Sequence, residues 1–154
     1  MRNVRIAFLI LILVHLIYLV PLFRYPFYQS HDGENHVARL GAYVKAFRDH
    51  HIPPRWAGDL NYGYGTPVLS FFYPLPGYLG TALYTIGFSL EESFKILAGL
   101  AFLSAFISFF LWTRELFDSS TALLTALLYS LAPYHFLNLY VRGDIGELLF
   151  LGIV

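Results

Sequence analysis

The chain of 154 residues contains no cysteine. That excludes disulfide scaffolds, thiolate metal sites and cysteine nucleophiles, and leaves the compartment open. Charge is scarce as well. Asp, Glu, Lys and Arg together make up 13%, against about 25% in ordinary soluble domains, so a water-soluble enzyme is excluded. Neither sign dominates: ten basic and ten acidic side chains cancel, and no overall basic field exists to draw nucleic acid. The zinc-helix pattern His-Glu-x-x-His is missing, and the chain has neither an internal repeat nor a low-complexity tract. What it has is apolar surface. Hydrophobic residues reach 57% and aromatics 19%, with a mean hydropathy of +0.58. Such a composition rules out disorder and leaves an integral membrane protein.

The few charges are segregated. Nine of them lie in residues 24–59, together with His31, His36, His50 and His51. The remainder punctuate apolar runs. Residues 6–23 (IAFLILILVHLIYLVPLF) carry no formal charge over 18 positions, which as helix reach ~27 Å, close to the roughly 30 Å of a bilayer core. Arg2 and Arg5 precede this run, and no small-x-small cleavage site follows it. It reads as an uncleaved signal anchor with a cytoplasmic N-terminus. Residues 95–112 supply a second span, a turn at 113–119 follows, and residues 120–138 supply a third. A polar loop at 139–147 leads into a last apolar run at 145–154. That run ends well short of a bilayer's thickness, so the chain reads as an N-terminal fragment, or an incomplete gene model, of a larger polytopic protein.

Residues 60–90 are uncharged but contain Pro67, Pro74 and Pro76 and are dense in Tyr and Phe. They fit either a broken transmembrane helix over 68–88 or short juxtamembrane helices within one external loop spanning 24–92. The non-crossing reading puts Arg114 on the cytoplasmic side with Arg2 and Arg5. Inside the long loop, Val37, Leu40, Val44 and Phe47 are spaced 3, 4 and 3. This predicts an amphipathic helix over 36–50 lying at the interface, with Asn35 as its cap.

Three constellations could carry chemistry. His31-Asp32-Gly33-Glu34-Asn35-His36 offers carboxylates and imidazoles for acid–base work or for a divalent cation, or it is a polar turn. Arg55-Trp56-Ala57-Gly58-Asp59 leads into Asn61-Tyr62-Gly63-Tyr64-Gly65, where aromatics can stack on sugars or form an interfacial belt; Gly-x-Gly outside a βαβ unit is no nucleotide signal. Arg142-Gly143-Asp144-Ile145-Gly146-Glu147 places charge at a membrane boundary, which is costly unless the groups are paired, solvated or functional. Arg142 can grip a phosphate, or pair with Asp144 or Glu147. His15 reads as facing a helix partner and His135 as interfacial. Glu91 and Glu92 read as a solvated connector or helix start.

In this order, HDGENHVAR, PPRW, NYGYGTPVLSFFYPLPGYL and LAPYHFLNLYVRGDIGEL resemble a bacterial family of polytopic proteins known as the "6-pyruvoyl-tetrahydropterin synthase-related" membrane domain, over about residues 28–154. That family resembles GT-C glycosyltransferases. The resemblance implies an all-α integral membrane fold with GT-C-like N-terminal helices and a long first external loop carrying juxtamembrane amphipathic helices, in the bacterial inner membrane. It implies sugar transfer from a polyprenyl-phosphate donor on the extracytoplasmic face. Asp32 and Glu147 would be catalytic, with Asp144 the other match for the second acidic position. Arg142, His36, Arg55, Trp56, Asp59, Tyr64 and Asp144 would bind substrate. A divalent cation (Mg or Mn) would draw on His31, Asp32, His36 and Glu147. The partners would be the bilayer, the lipid donor and the remaining C-terminal part, without which the fragment would be inactive. The competing reading is a non-catalytic transporter, flippase-type or structural membrane subunit, since Pro-broken helices with intramembrane charges also mark transporters.

Overall fold

The computed structural model describes residues 2–25 and 27–153 and, for residues 2 and 3, the backbone only. Seven α-helices form among the described residues. The first, α1, covers Arg2–Arg24. It leaves Leu9, Leu13, Ile17 and Val20 exposed and buries only a narrow line of His15, Leu19 and Leu22. A helix apolar all round with so little of it packed is suited to lipid, where no water competes for its surface.

The central helix, α4 (Leu90–Thr113), begins in a capping box. Ser89 Oγ accepts the Glu92 amide at 3.1 Å, and the Glu92 carboxylate accepts the Ser89 amide at 2.8 Å. Glu92 is thus a helix-start residue, satisfying backbone groups the first turn leaves unpaired. Phe94, Leu97, Ala98, Ala101, Phe102, Ala105 and Phe106 on α4 are all buried. Helix α1 runs antiparallel against it: the Phe8 and Phe106 rings stack 5.4 Å apart at one end, while Leu19 and Leu22 pack on Ala98 and Ala101 toward the other. His15 faces a helix partner as its sequence context predicts, with Nε2 2.8 Å from Ser130 Oγ and its ring stacked 4.6 Å from Phe106.

Two helices, Val4–Arg24 and Leu90–Thr113, are long and apolar enough to cross a membrane; a third span exists if Ser119–Ser130 and Pro133–Arg142, bent by 44°, count as one. The straight span predicted over 120–138 is therefore interrupted. Helix α5 (Ser119–Ser130), capped by Asp118, ends before Ala132, whose ψ of 138° is extended. The residue before a proline avoids the helical region, and Pro133 has no N–H to continue the ladder. Helix α6 (Pro133–Phe136) restarts there and passes into a π-helical turn, Leu137–Arg142. His135 lies on this restart. It is buried with its ring edge on Tyr129, 4.8 Å away, rather than at an interface.

The amphipathic helix α2 covers Gly33–Arg48, starting three residues earlier than its stripe predicts. Asp32, not Asn35, precedes its first turn. The stripe is covered by protein instead of lying on a membrane surface: Leu40 and Val44 are buried, and Phe47 meets the edge of Tyr78 at 5.6 Å. The cover is α3 (Leu75–Thr85), whose Gly77 and Gly80 press directly on Tyr43 and Leu40. With 11 residues, α3 is ~16 Å long, about half a bilayer. Pro67 opens a 3-10 turn, Pro67–Ser70, and Pro76 lies in the first turn of α3, positions where a missing N–H costs nothing. Residues 60–90 are thus short helical pieces packed on α2 and α4. Helix α7 (Ile145–Leu151) completes the fold, with Ile145 packed against Phe94 and Leu97.

Candidate functional site at the junction of two polar loops

The segment after α1 and the segment before α7 are joined by backbone. The His31 amide donates to the Val141 carbonyl at 2.9 Å and the Asp32 amide to the Arg142 carbonyl at 2.8 Å. Two glycines permit this. Gly143 has φ +67°, and a Cβ there would lie 2.5 Å from Ser30 Oγ and 3.0 Å from the Gly33 nitrogen. At Gly146 a Cβ would be driven into the Tyr73 ring. Without side chains at both positions, α2, α3 and α7 close on one another.

The polar groups brought together form a connected cluster. Asp144 caps α7, accepting the Gly146 and Glu147 amides at 3.0 and 3.2 Å, and also accepts the Tyr73 hydroxyl at 2.8 Å. Its other oxygen is 3.6 Å from Arg142. Arg142 donates to Glu147, to Tyr134 Oη at 3.0 Å and to Asn138 Oδ1 at 3.0 Å. Tyr134 in turn donates to Glu147 at 3.0 Å. His36 Nε2 stands 3.9 Å from Asp144, and its ring stacks 6.1 Å from Tyr73. The Asp32 carboxylate does not cap α2, and no hydrogen bond or ion pair among the described residues engages it.

Protonation follows from these surroundings. Burial, and then the nearby Arg39 guanidinium, hold the His36 imidazole below its ordinary pKa despite Asp144 and Asp32. His36 is therefore neutral at pH 7, and its approach to Asp144 is not an ion pair there. Burial works against the Asp144 carboxylate, but the Tyr73 hydroxyl and the Glu147 and Gly146 amides outweigh it and keep Asp144 ionised. Burial and the Asp144 charge push the Tyr73 phenol well up, so Tyr73 stays a donor. Two guanidiniums adjoin the cluster: Arg142 is already matched by Glu147 and Asp144, and Arg39 lies 3.5 Å from His36 Nδ1.

Of the residues singled out in the sequence, Asp32, His36, Arg142, Asp144 and Glu147 meet here. Four others do not. Arg55 lies by Tyr43, Leu69 and Phe72 with Pro53 and Pro54, and no ion pair joins it to the cluster among the described residues. Asp59 sits with Lys45 and Asp49 at the far end of α2, ~20 Å along the helix from Asp32. Trp56 covers Gly65, and Tyr64 is exposed. The cation set His31, Asp32, His36 and Glu147 is not assembled either: no group of three His, Cys, Asp or Glu among the described residues could hold a metal ion. Glu147 is turned to Arg142 and Tyr134, while His31 is exposed on the loop.

Tyr73, Tyr134, Asn138 and Arg39 were not singled out in the sequence. Tyr134, Asn138 and Arg142 are spaced by four in an otherwise uncharged run, the i,i+4 pattern of one helical face; that signal was readable. Asn138 is fully buried with its Nδ2 unpartnered among the described residues. The Arg39 guanidinium lies 3.6 Å over the Phe72 ring. Beside His36 and Tyr73 a cavity of about 30 Å³ opens, walled by Phe94, Leu97 and Ile145. It has room for a water or a hydroxyl and none for a sugar ring, so a larger ligand would meet the cluster from its open side, where Arg142 and Glu147 are each about one-third exposed. No family model, no curated protein and no solved structure matches this chain.

Proposed function

We propose that the chain carries the acid–base and phosphate-facing groups of a membrane glycosyltransferase of GT-C type, moving a sugar from a polyprenyl-phosphate donor to an acceptor hydroxyl on the extracytoplasmic side of a bacterial membrane. The observation that carries this reading is the backbone junction of His31 and Asp32 with Val141 and Arg142. It joins the backbone of Asp32, whose carboxylate is unengaged among the described residues, to that of Arg142 at the end of two apolar helices, where a lipid-linked substrate would present its head.

In this mechanism the acceptor oxygen forms its bond to the anomeric carbon as the bond from that carbon to the donor phosphate oxygen breaks. The acceptor proton passes to Asp32, a general base within the same polar cluster. The leaving lipid phosphate develops charge that Arg142 stabilises by exchanging part of its hold on Glu147 for phosphate oxygens. Asp144, ionised and fastened by Tyr73 and two amides, acts as a positioning residue for α7 and His36. Among the described residues no three His, Asp or Glu converge as a cation site, and no step is routed through one.

The test is sugar transfer in membranes carrying the full-length protein. Asp32→Ala abolishes consumption of the polyprenyl-phosphate sugar while the inserted amount is unchanged. Transfer retained at the unaltered rate would remove Asp32 from the reaction. The transport reading draws on a separate observation, the 44° break between α5 and α6, since interrupted helices line transporter sites. It requires substrate flux without cleavage of the donor bond.

A further inference from the structure

At the opposite end of α1 and α4 from the polar cluster, ~28 Å along α1 from Arg24 to Arg5, a groove of about 470 Å³ opens between the two helices. Its floor and walls are Phe8, Leu9, Phe110 and Leu111, with Arg5 on one lip and Arg114 on the other. Leu9 and Leu111 are exposed, so the slot continues onto the lipid-facing surface of both helices. The two guanidiniums are exposed, and neither forms an ion pair among the described residues. Of the acids nearest in sequence, Glu115 is exposed and pairs with neither arginine among the described residues, and Asp118 is turned to Ser120 and Thr121 at the start of α5.

Two arginines without an ion-pair partner among the described residues, Arg114 with its guanidinium 5.9 Å over the Phe110 ring, flank an apolar slot and select a molecule with a negative head and an apolar tail. We infer that this groove binds an anionic phospholipid, its phosphate between Arg5 and Arg114 and one acyl chain against Phe8, Leu9, Phe110 and Leu111. Basic pockets between transmembrane helices hold anionic lipid heads in this way, and the volume is that of an ordinary small-molecule site. The distance from Asp32 separates this lipid from any donor substrate. Its role is to extend the contact between α1 and α4 beyond the packing of Phe8 on Phe106 and Phe110.

The full chain, purified in a neutral detergent, is titrated with phosphatidylglycerol and with phosphatidylcholine, and retained lipid is read by native mass spectrometry. The unaltered chain keeps phosphatidylglycerol at least about tenfold better. In R5Q/R114Q that preference falls roughly tenfold, leaving little discrimination between the two lipids, as expected for removing two basic contacts with an anionic lipid. R5K/R114K keeps most of it. Leu111→Trp, which fills the slot without altering charge, lowers retention of both lipids. Unchanged preference in R5Q/R114Q, unchanged retention in Leu111→Trp, or displacement of the lipid by an equal concentration of inorganic phosphate would each overturn the proposal. If the double glutamine variant does not fold, the lysine and tryptophan variants decide between the same outcomes.

Discussion

Two glycine-rich polar segments of this chain look alike on paper and behave oppositely in the fold. Residues 142–147 and residues 58–65 both mix glycine, a carboxylate and neighbouring aromatic or basic side chains. In the first, glycines lie where two elements collide, so the backbone of one loop reaches another and charged groups are drawn into a shared network. In the second, the Ala57–Thr66 bridge closes the loop largely on itself. Gly63 has open space where a Cβ would go, and Tyr62 is 99% exposed. A glycine therefore marks a candidate site when it permits contact with something distant, and only a local turn when it does not.

The largest test of that contrast is Gly146→Val. The added side chain must displace the Tyr73 ring and with it the hydroxyl on Asp144. Overpacking of this kind costs about 3 kcal/mol. Thermal unfolding in detergent should show a large drop, whereas Gly63→Ala costs only what its φ of +84° demands, about 1 kcal/mol. Equal losses at the two positions would erase the distinction between the loops.

Gly143→Ala comes next. Its φ of +67° is unfavourable for alanine, by roughly 1–2 kcal/mol, and the methyl group meets Ser30 and the Gly33 nitrogen. Hydrogen exchange should then rise at the His31 and Asp32 amides, which lose the Val141 and Arg142 carbonyls as acceptors. Protection unchanged at both amides would show that the junction tolerates a side chain.

How much of this was readable beforehand depends on distance along the chain. The stripe Val37, Leu40, Val44 and Phe47 identified α2 because helical periodicity is local, but the periodicity could not tell that protein covers it. The cover depends on Gly77 and Gly80 of α3, some 40 residues away. Likewise Pro133 was visible, yet the uncharged run around it read as one span because hydropathy is blind to a break. Asp32, His36, Arg142, Asp144 and Glu147 stood out by charge at a membrane edge. Tyr73 could not, since an aromatic in a run of aromatics announces nothing until its hydroxyl is seen on Asp144, 71 residues on. The candidate cation ligands stand apart among the described residues for a related reason. Proximity of His31, Asp32 and His36 in sequence does not make their side chains converge once α2 begins at Gly33.

The polar junction should also give the fold a pH dependence that the aromatic loop lacks. Burial keeps the His36 imidazole below its ordinary pKa, so the folded chain prefers it neutral. The unfolded chain binds a proton more readily as pH falls through ~6.5. Stability is thus full above that pH and declines below it, toward the lowered folded value. Asp144, held below its ordinary range, contributes stability that is lost only at more acidic pH. In His36→Gln the decline between pH 7 and pH 5 should flatten, read as the melting temperature across that window. An unchanged slope would assign the dependence elsewhere.

The smallest expected effect bears hardest on the comparison. Tyr62 at 99% exposure packs on nothing that could reward it in a folded monomer in water, so Tyr62→Ala should change unfolding stability in detergent by no more than about 0.5 kcal/mol. Aromatic rings at a membrane boundary gain from partial immersion instead. On the reading of this loop as an interfacial aromatic belt, the same substitution should weaken its retention against a bilayer, measured as increased quenching of a reporter on residue 62's neighbour Gly63 by a water-soluble agent. A large loss of stability in detergent would mean that the loop, like the Arg142–Glu147 segment, owes its shape to a contact within the chain. The contrast between the two glycine-rich segments would then fail from the side where the structure makes it strongest.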